Sequence, residues 1–375
     1  MKIIVATDSF KGSLDAQTVC GIIADTISEY QPDIQVIIKP MADGGEGTAK
    51  AMVAACNGRW IPQKVMGPLP NMEVEAGFAW FGKSCTALVE MACASGITLL
   101  SNKQLSPLKT TTYGTGQLIT AALKKEPNEI LIAIGGSATI DMGTGAAMAM
   151  GWKFLDEKGN SIGLGGEYLE RIKNIIPPFK SLGCKVRVLS DVKNPLYGPN
   201  GAAEIFGPQK GADPQTIKRL DTAIEHLSGL IKDKLKIDVS NITGAGAAGG
   251  LGAGAVAFMN AEITSGIETI INAVNLKNDL LDTDWIITGE GKFDTQSFQG
   301  KVISGIVQAA QQTKTKVVVI AGDIQLSKSE YGKFGIIDAI GLKKKDMSTE
   351  YAMQNSKKLL KSASYEFIQK YITKQ

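Results

Sequence analysis

The chain has 375 residues, 44% of them apolar, and 40 Lys and Arg against 37 Asp and Glu leave a formal charge of +3. That length suggests two domains, or three small ones, with ample material for a core, and a near-balanced charge without long basic runs argues against nucleic acid or anionic membrane as partners. One His and five cysteines without a CxxC pair argue against a multi-His metal site or a zinc cluster, and suit reduced thiols in a cytoplasm.

The N-terminus, MKIIVATDSFKG, turns polar too soon for a signal-peptide apolar region. It reads instead as a buried strand at 3–7, followed by a helix over 15–29 through Val19, Ile22, Ile23 and Ile27. A second strand at 34–41 ends in a polar glycine cluster, and a helix over 48–56 follows. This β-α-β-α order predicts a parallel sheet covered by helices. The 74–91 stretch alternates about a Gly-Lys turn and predicts a β-hairpin. Two further buried strands are expected at 129–136 and 185–192, each ending in polar residues. His226 falls in an amphipathic helix with Leu220, Ile224, Leu227, Leu230 and Ile231 on its apolar face, and reads as a surface-helix residue. The Gly- and Ala-rich run at 242–261 is too weakly apolar to span a bilayer. The last hundred residues return to the opening style, with strands at 284–291, 316–323 and 336–342, a helix near 302–313 and an amphipathic C-terminal helix. The expected fold class is therefore α/β in two domains. A discontinuous, doubly wound, Rossmann-like domain is formed by 1–60 and 283–375, and a second α/β domain is inserted over 61–282.

Two motifs invite a nucleotide reading. Gly77 to Ser84 matches the P-loop pattern GxxxxGK[ST], but Phe78, Trp80 and Phe81 stand where backbone amides would have to curl round a phosphate. The hairpin reading is preferred. GAGAAGG at 244–250 contains GxGxxG without a buried strand before it. A tightly packed helix start and a phosphate-facing loop are both open there, with NAD binding behind them.

Charged residues recur just past the carboxyl ends of the expected strands, where open α/β sheets bind ligands. They are Asp8, Ser9 and Lys11; Asp43 and Glu46; Ser137, Thr139 and Asp141; Asp191 and Asn194; and Glu290, Lys292 and Asp294. A lone strand-end Asp is commonly a helix cap, but caps alone do not account for five such clusters, several beside paired glycines. The chemistry they suit is phosphoryl transfer. Glycine loops offer N–H groups to phosphate, lysines offset charge, carboxylates hold Mg²⁺, and a hydroxyl acceptor needs no histidine.

Seven motifs occur in order: DSFKGSL (8–14), PMADGGEGT (40–48), GGSATID (135–141), SDVKNPL (190–196), FGPQKGAD (206–213), GAGAAGGLGAG (244–254) and ITGEGKFDTQSFQGK (287–301). Together they closely resemble the bacterial type I glycerate kinase family, essentially end to end. Ile140 departs from the family pattern, in which Asn is frequent. The resemblance implies ATP-dependent phosphorylation of D-glycerate by a two-domain α/β enzyme with its active site in the cleft between domains, and it leans toward 2-phosphoglycerate. The expected partners are D-glycerate and ATP with Mg²⁺, in the cytoplasm, and a homo-oligomer is compatible with the sequence.

On this basis Asp191 and Lys11 are the catalytic candidates, for the acceptor hydroxyl and for an anion respectively. Asp8, Ser9, Asp43, Glu46 and Asn194 are the substrate-binding candidates. Gly135, Gly136, Ser137, Thr139, Gly244, Gly246 and Gly249 are assigned to nucleotide, and Glu290 and Asp294 to metal, with Asp43 as an alternative. Lys210 and Lys301 sit beside glycines within reach of phosphate. The rivals are an NAD-linked hydroxy-acid oxidoreductase, which lacks an obvious His donor, and a non-catalytic small-anion binding protein.

Overall fold

The computed structural model describes residues 1–298 and 300–373. Contacts divide the chain into two compact units. The first comprises Met1–Asp43, Lys50–Asn57 and Ser265–Gln375, and the second Gly44–Ala49 and Gly58–Thr264. Residues 265–282, grouped with the insert on sequence, thus fall in the first unit. The physical reason is packing of the Gly266–Ala273 helix on the Val302–Ala310 helix, where Gly305 makes room for Ile267 and Ile271. The 44–49 loop falls in the second unit, where Gly135 N–H donates to Gly44 O at 3.1 Å.

The first unit is built on a five-stranded, wholly parallel sheet in the order Ile336–Gly341, Lys316–Ala321, Trp285–Thr288, Lys2–Val5, Gln35–Ile38. Strands buried on both faces read as continuous apolar runs, and KIIV, WIIT and KVVVIA are such runs. Alternation sorts their side chains between the faces. Ile3, Val5, Trp285, Ile287, Val318 and Ile320 pack with Val19, Ile23, Leu360 and Phe367 from the Ala16–Tyr30 and Ser356–Tyr371 helices. Asp15 caps the first of these helices, accepting from Thr18 N at 2.8 Å, a contact worth about 1 kcal/mol. Chain order runs outward in both directions from Lys2–Val5, so the order reverses between this strand and Trp285–Thr288.

The second unit holds a six-stranded sheet, Glu262–Thr264, Lys185–Leu189, Glu129–Ala133, Thr86–Glu90, Glu73–Phe81, Arg59–Met66. Its first four strands are parallel and the last two join antiparallel. The 74–91 hairpin is present, and Gly77 lies mid-strand opposite Pro62, so the P-loop pattern has no loop to form. Arg59–Met66 was not foreseen. It carries Pro62, which only an edge strand tolerates well. Leu118, Ile119, Leu251 and Ala255 pack on the sheet residues Ile130, Ile132, Val186 and Val188. A second apolar cluster surrounds the Pro214–Leu235 helix, whose Leu220, Ile224, Leu227 and Ile231 meet Phe154, Leu169 and Phe258. His226 on that helix bonds Ile172 O at 2.8 Å, a structural role. No helix among the described residues is long and apolar enough to cross a membrane.

Candidate active site

In the first unit, the residues following the strand ends are tied into one rim by the backbone. Asp8 N donates to Gly289 O at 2.8 Å, Gly322 N to Glu290 O at 3.2 Å and Asp323 N to Gly291 O at 3.0 Å. This lacing requires glycine. A Cβ at Gly289 would lie 1.8 Å from Ile320 O, and one at Gly322 2.4 Å from Gly291 O. The rim encloses a cavity of about 620 Å³ whose wall includes Asp8, Ser9, Lys11, Asp43, Glu290 and Asp294. Six sequence candidates from three separate motifs therefore share one cavity, beside the point where strand order reverses.

Asp8 is 6% exposed. Burial, then the charge of Asp43, pushes its carboxyl up to about 7, against the pull of the Ser9 amide and Lys11 and with a further push from Glu290. The Ser9 amide reaches Asp8 Oδ1 at 2.6 Å. Glu290 is 7% exposed, and burial raises its pKa although the Ser297 hydroxyl and Lys301 act in the other direction. Its Oε1 is buried without a hydrogen-bond partner. Asp294 differs. Burial pushes its pKa up, but Lys292 at 3.0 Å and the Gln296 amide at 2.9 Å outweigh it and hold the carboxyl below the usual range.

Three mutually repelling carboxylates with an unpartnered buried oxygen suit a cation. Among the described residues no group of three His, Cys, Asp or Glu side chains forms a ready metal cage. Mg²⁺ does not require one, since it is bound by one or two carboxylates with water and phosphate completing the shell. Glu290 fits that role, with Asp43 in the same cavity. Asp294 fits less well because its oxygens are already engaged.

The remaining candidates lie in the second unit. Glu46 is exposed, but its loop is held by Glu90, which accepts from Gly47 N at 2.9 Å and Ala49 N at 3.0 Å. Sequence reasoning missed Glu90, although a lone acid closing the apolar strand TALVE was a signal. Asp191 is half-buried just after its strand. Asn194 Nδ2 donates to Asn200 O at 3.0 Å and closes the following loop. Ser137 Oγ accepts from Lys210 Nζ at 2.6 Å, and Thr139 O accepts from the same nitrogen at 2.8 Å. Lys210 is 1% exposed, and burial pushes its pKa down to about 7 although Asp141 acts in the other direction. It supports the 135–139 loop from within. Asp141 is fully buried and binds the Thr112 amide and hydroxyl, both at 2.8 Å, so it anchors a loop. Ile140 belongs to the apolar cluster around the long helix, where it makes no polar contact.

Gly244, Gly246 and Gly249 are buried. A Cβ at these positions would lie 2.8 Å from Val192 O, 2.1 Å from Pro195 O and 1.9 Å from Thr139 O respectively. The amides of Ala245, Gly246, Ala247 and Gly250 donate to Ile242, Asn194, Gly244 and Gly246 carbonyls. Close packing accounts for these glycines, and four of the amides a phosphate would need are already bonded.

A parallel-sheet α/β fold with strand-end carboxylates and lysines lining one cavity defines an enzyme of small anionic substrates. The chain belongs to the glycerate kinase family, whose model matches residues 3–372. It is 45% identical over 329 residues to the glycerate 2-kinase of Escherichia coli (strain K12), covering 86% of each chain. It is 41% identical over 366 residues to the glycerate kinase of Halalkalibacterium halodurans, covering 96% of each. A solved structure from Salmonella typhimurium LT2, provisionally assigned as glycerate kinase 2, superposes with a TM-score of 0.88 at 39% identity, covering 100% of this chain and 99% of that one. The activity is accordingly that of a glycerate kinase, and neither an NAD-linked oxidoreductase nor a binding protein finds support in these likenesses.

Proposed function

We propose that the chain transfers the γ-phosphoryl group of ATP to the C2 hydroxyl of D-glycerate, giving 2-phosphoglycerate and ADP, in the cytoplasm and with Mg²⁺. The observation that carries this reading is the meeting of Asp8, Asp43 and Glu290 with Lys11 and Lys301 in one cavity. The name of the Escherichia coli relative, glycerate 2-kinase, favours C2 over C3. The sheet order favours a doubly wound, Rossmann-like reading of the first unit, with the second unit as an inserted α/β domain.

In this reading Asp8 accepts the proton of the C2 hydroxyl as that oxygen bonds to the γ-phosphorus and the bond to ADP breaks. A carboxyl poised near neutral pH is suited to the task. Lys11 holds the anion, with Ser9 and Asp43 orienting the acceptor. Glu290 would hold Mg²⁺, which offsets phosphate charge. For Asp191, Asn194 and Glu46, which lie in the second unit, the motifs SDVKNPL and PMADGGEGT that carry them support a role in the reaction. Asp191→Asn is expected to lower kcat at least about tenfold with an unchanged melting curve, and a near wild-type kcat would remove Asp191 from the reaction.

The function is tested by phosphorus NMR of the protein with ATP, Mg²⁺ and D-glycerate. A new monoester signal split by one proton is expected. Splitting by two protons would place the phosphate on C3, and no monoester signal would overturn the reading.

A further inference from the structure

The cavity of the first unit is several times larger than a three-carbon acid requires, and its volume is that of a pocket for a drug-sized ligand. Its lining also holds apolar side chains. Leu342, Ala352 and Met353 stand among the carboxylates and lysines, with the Asp323–Lys343 pair next to Leu342. The Ser13 hydroxyl donates to Met353 O at 3.2 Å and fixes that wall. Gly12, at φ +77°, lets Met353 come close, since a Cβ there would lie 2.9 Å from Met353 Cε. Met353 is 40% exposed, and a flexible, polarisable thioether suits the face of a planar base. Thr349, Ser356 and Gln325 add polar groups to the lining that can meet the base's edge. The 244–250 loop, by contrast, has its glycines packed on backbone and four of its amides bonded.

We infer that this cavity takes the whole nucleoside triphosphate, the base against Leu342, Ala352 and Met353 and the phosphates along Lys11, Lys292 and Lys301 toward Glu290. This rests on the ATP dependence proposed above, and it makes Ala352 and Met353 nucleotide-binding residues. The buried, unpartnered Glu290 Oε1 is consistent with it, as an oxygen that would hold the Mg²⁺ accompanying the phosphates.

The test is isothermal titration of wild type, Ala352→Trp and Met353→Ala with ATP–Mg²⁺ and, separately, with inorganic triphosphate–Mg²⁺. Ala352→Trp should weaken ATP at least about tenfold, and Met353→Ala about three- to tenfold. Triphosphate affinity should stay within about twofold, because it lacks the base. Met353→Ala alters a partly exposed side chain, so it keeps the test open if the tryptophan variant does not fold. Unchanged ATP affinity in a variant that melts like wild type would overturn the assignment, as would equal weakening of ATP and triphosphate. Those outcomes remove only the nucleotide subsite, whereas absence of monoester product from wild type removes the ATP-dependent reaction itself.

Discussion

Replacing Asp8 by Asn is expected to lower kcat by roughly 10²–10⁴-fold, the range spanned by loss of a positioned proton acceptor. The same substitution should stabilise the unliganded protein at pH 8. Burial and the neighbouring Asp43 raise the Asp8 pKa to about 7, whereas an unfolded chain loses this proton near 4. Between those values the folded state binds more protons than the unfolded one, so the Asp8 contribution to stability falls as pH rises. Above about 7 the penalty is complete and is of the order of 2–4 kcal/mol. Asn removes it, so the variant's melting temperature should exceed that of wild type at pH 8 by several degrees and match it near pH 4. Wild-type kcat/KM for D-glycerate should likewise rise with pH through neutrality. A variant with normal kcat would show that Asp8 is not the proton acceptor, and one destabilised at pH 8 would show that it is not a strained carboxyl.

Gly249→Ala separates two explanations of the glycine loop. Gly249 sits at φ +67°, and a Cβ there would lie 1.9 Å from Thr139 O, a backbone atom that cannot swing aside. A left-handed backbone conformation together with a backbone clash should cost about 3–5 kcal/mol. The expected result is a melting temperature lowered by many degrees. An unchanged melting curve would contradict close packing, and a raised KM for ATP in the folded variant would show that the loop also meets phosphate. Thermal melts and ATP kinetics on one preparation decide between them.

Much of the first unit was legible because its strands are buried on both faces. The apolar runs expected at 3–7, 34–41, 284–291, 316–323 and 336–342 became Lys2–Val5, Gln35–Ile38, Trp285–Thr288, Lys316–Ala321 and Ile336–Gly341. Arg59–Met66 escaped notice because an edge strand mixes polar and apolar residues, and Pro62 reads as a breaker. The shared cavity of Asp8, Lys11, Asp43 and Glu290 was foreshadowed by one rule, that strand ends near a reversal of order bind ligands. Glu90 and Lys210 were not so accessible. Nothing in the spacing of a sequence distinguishes a lysine buried against Ser137 Oγ and Thr139 O from one in solvent. Likewise GxGxxG records only that a backbone comes close, and here the approaching groups are Val192, Pro195 and Thr139 of the same chain.

In the proposed reading, phosphoryl transfer takes place at the carboxylate end of the first unit's cavity, where Glu290 would hold Mg²⁺. The most direct measurement is the Mg²⁺ dependence of glycerate phosphorylation by Glu290→Gln beside wild type. An amide keeps the shape but loses the charge, so the Mg²⁺ concentration for half-maximal rate should rise at least about tenfold and kcat should fall. An unchanged Mg²⁺ requirement and kcat in a variant that melts like wild type would show that Glu290 does not hold the metal.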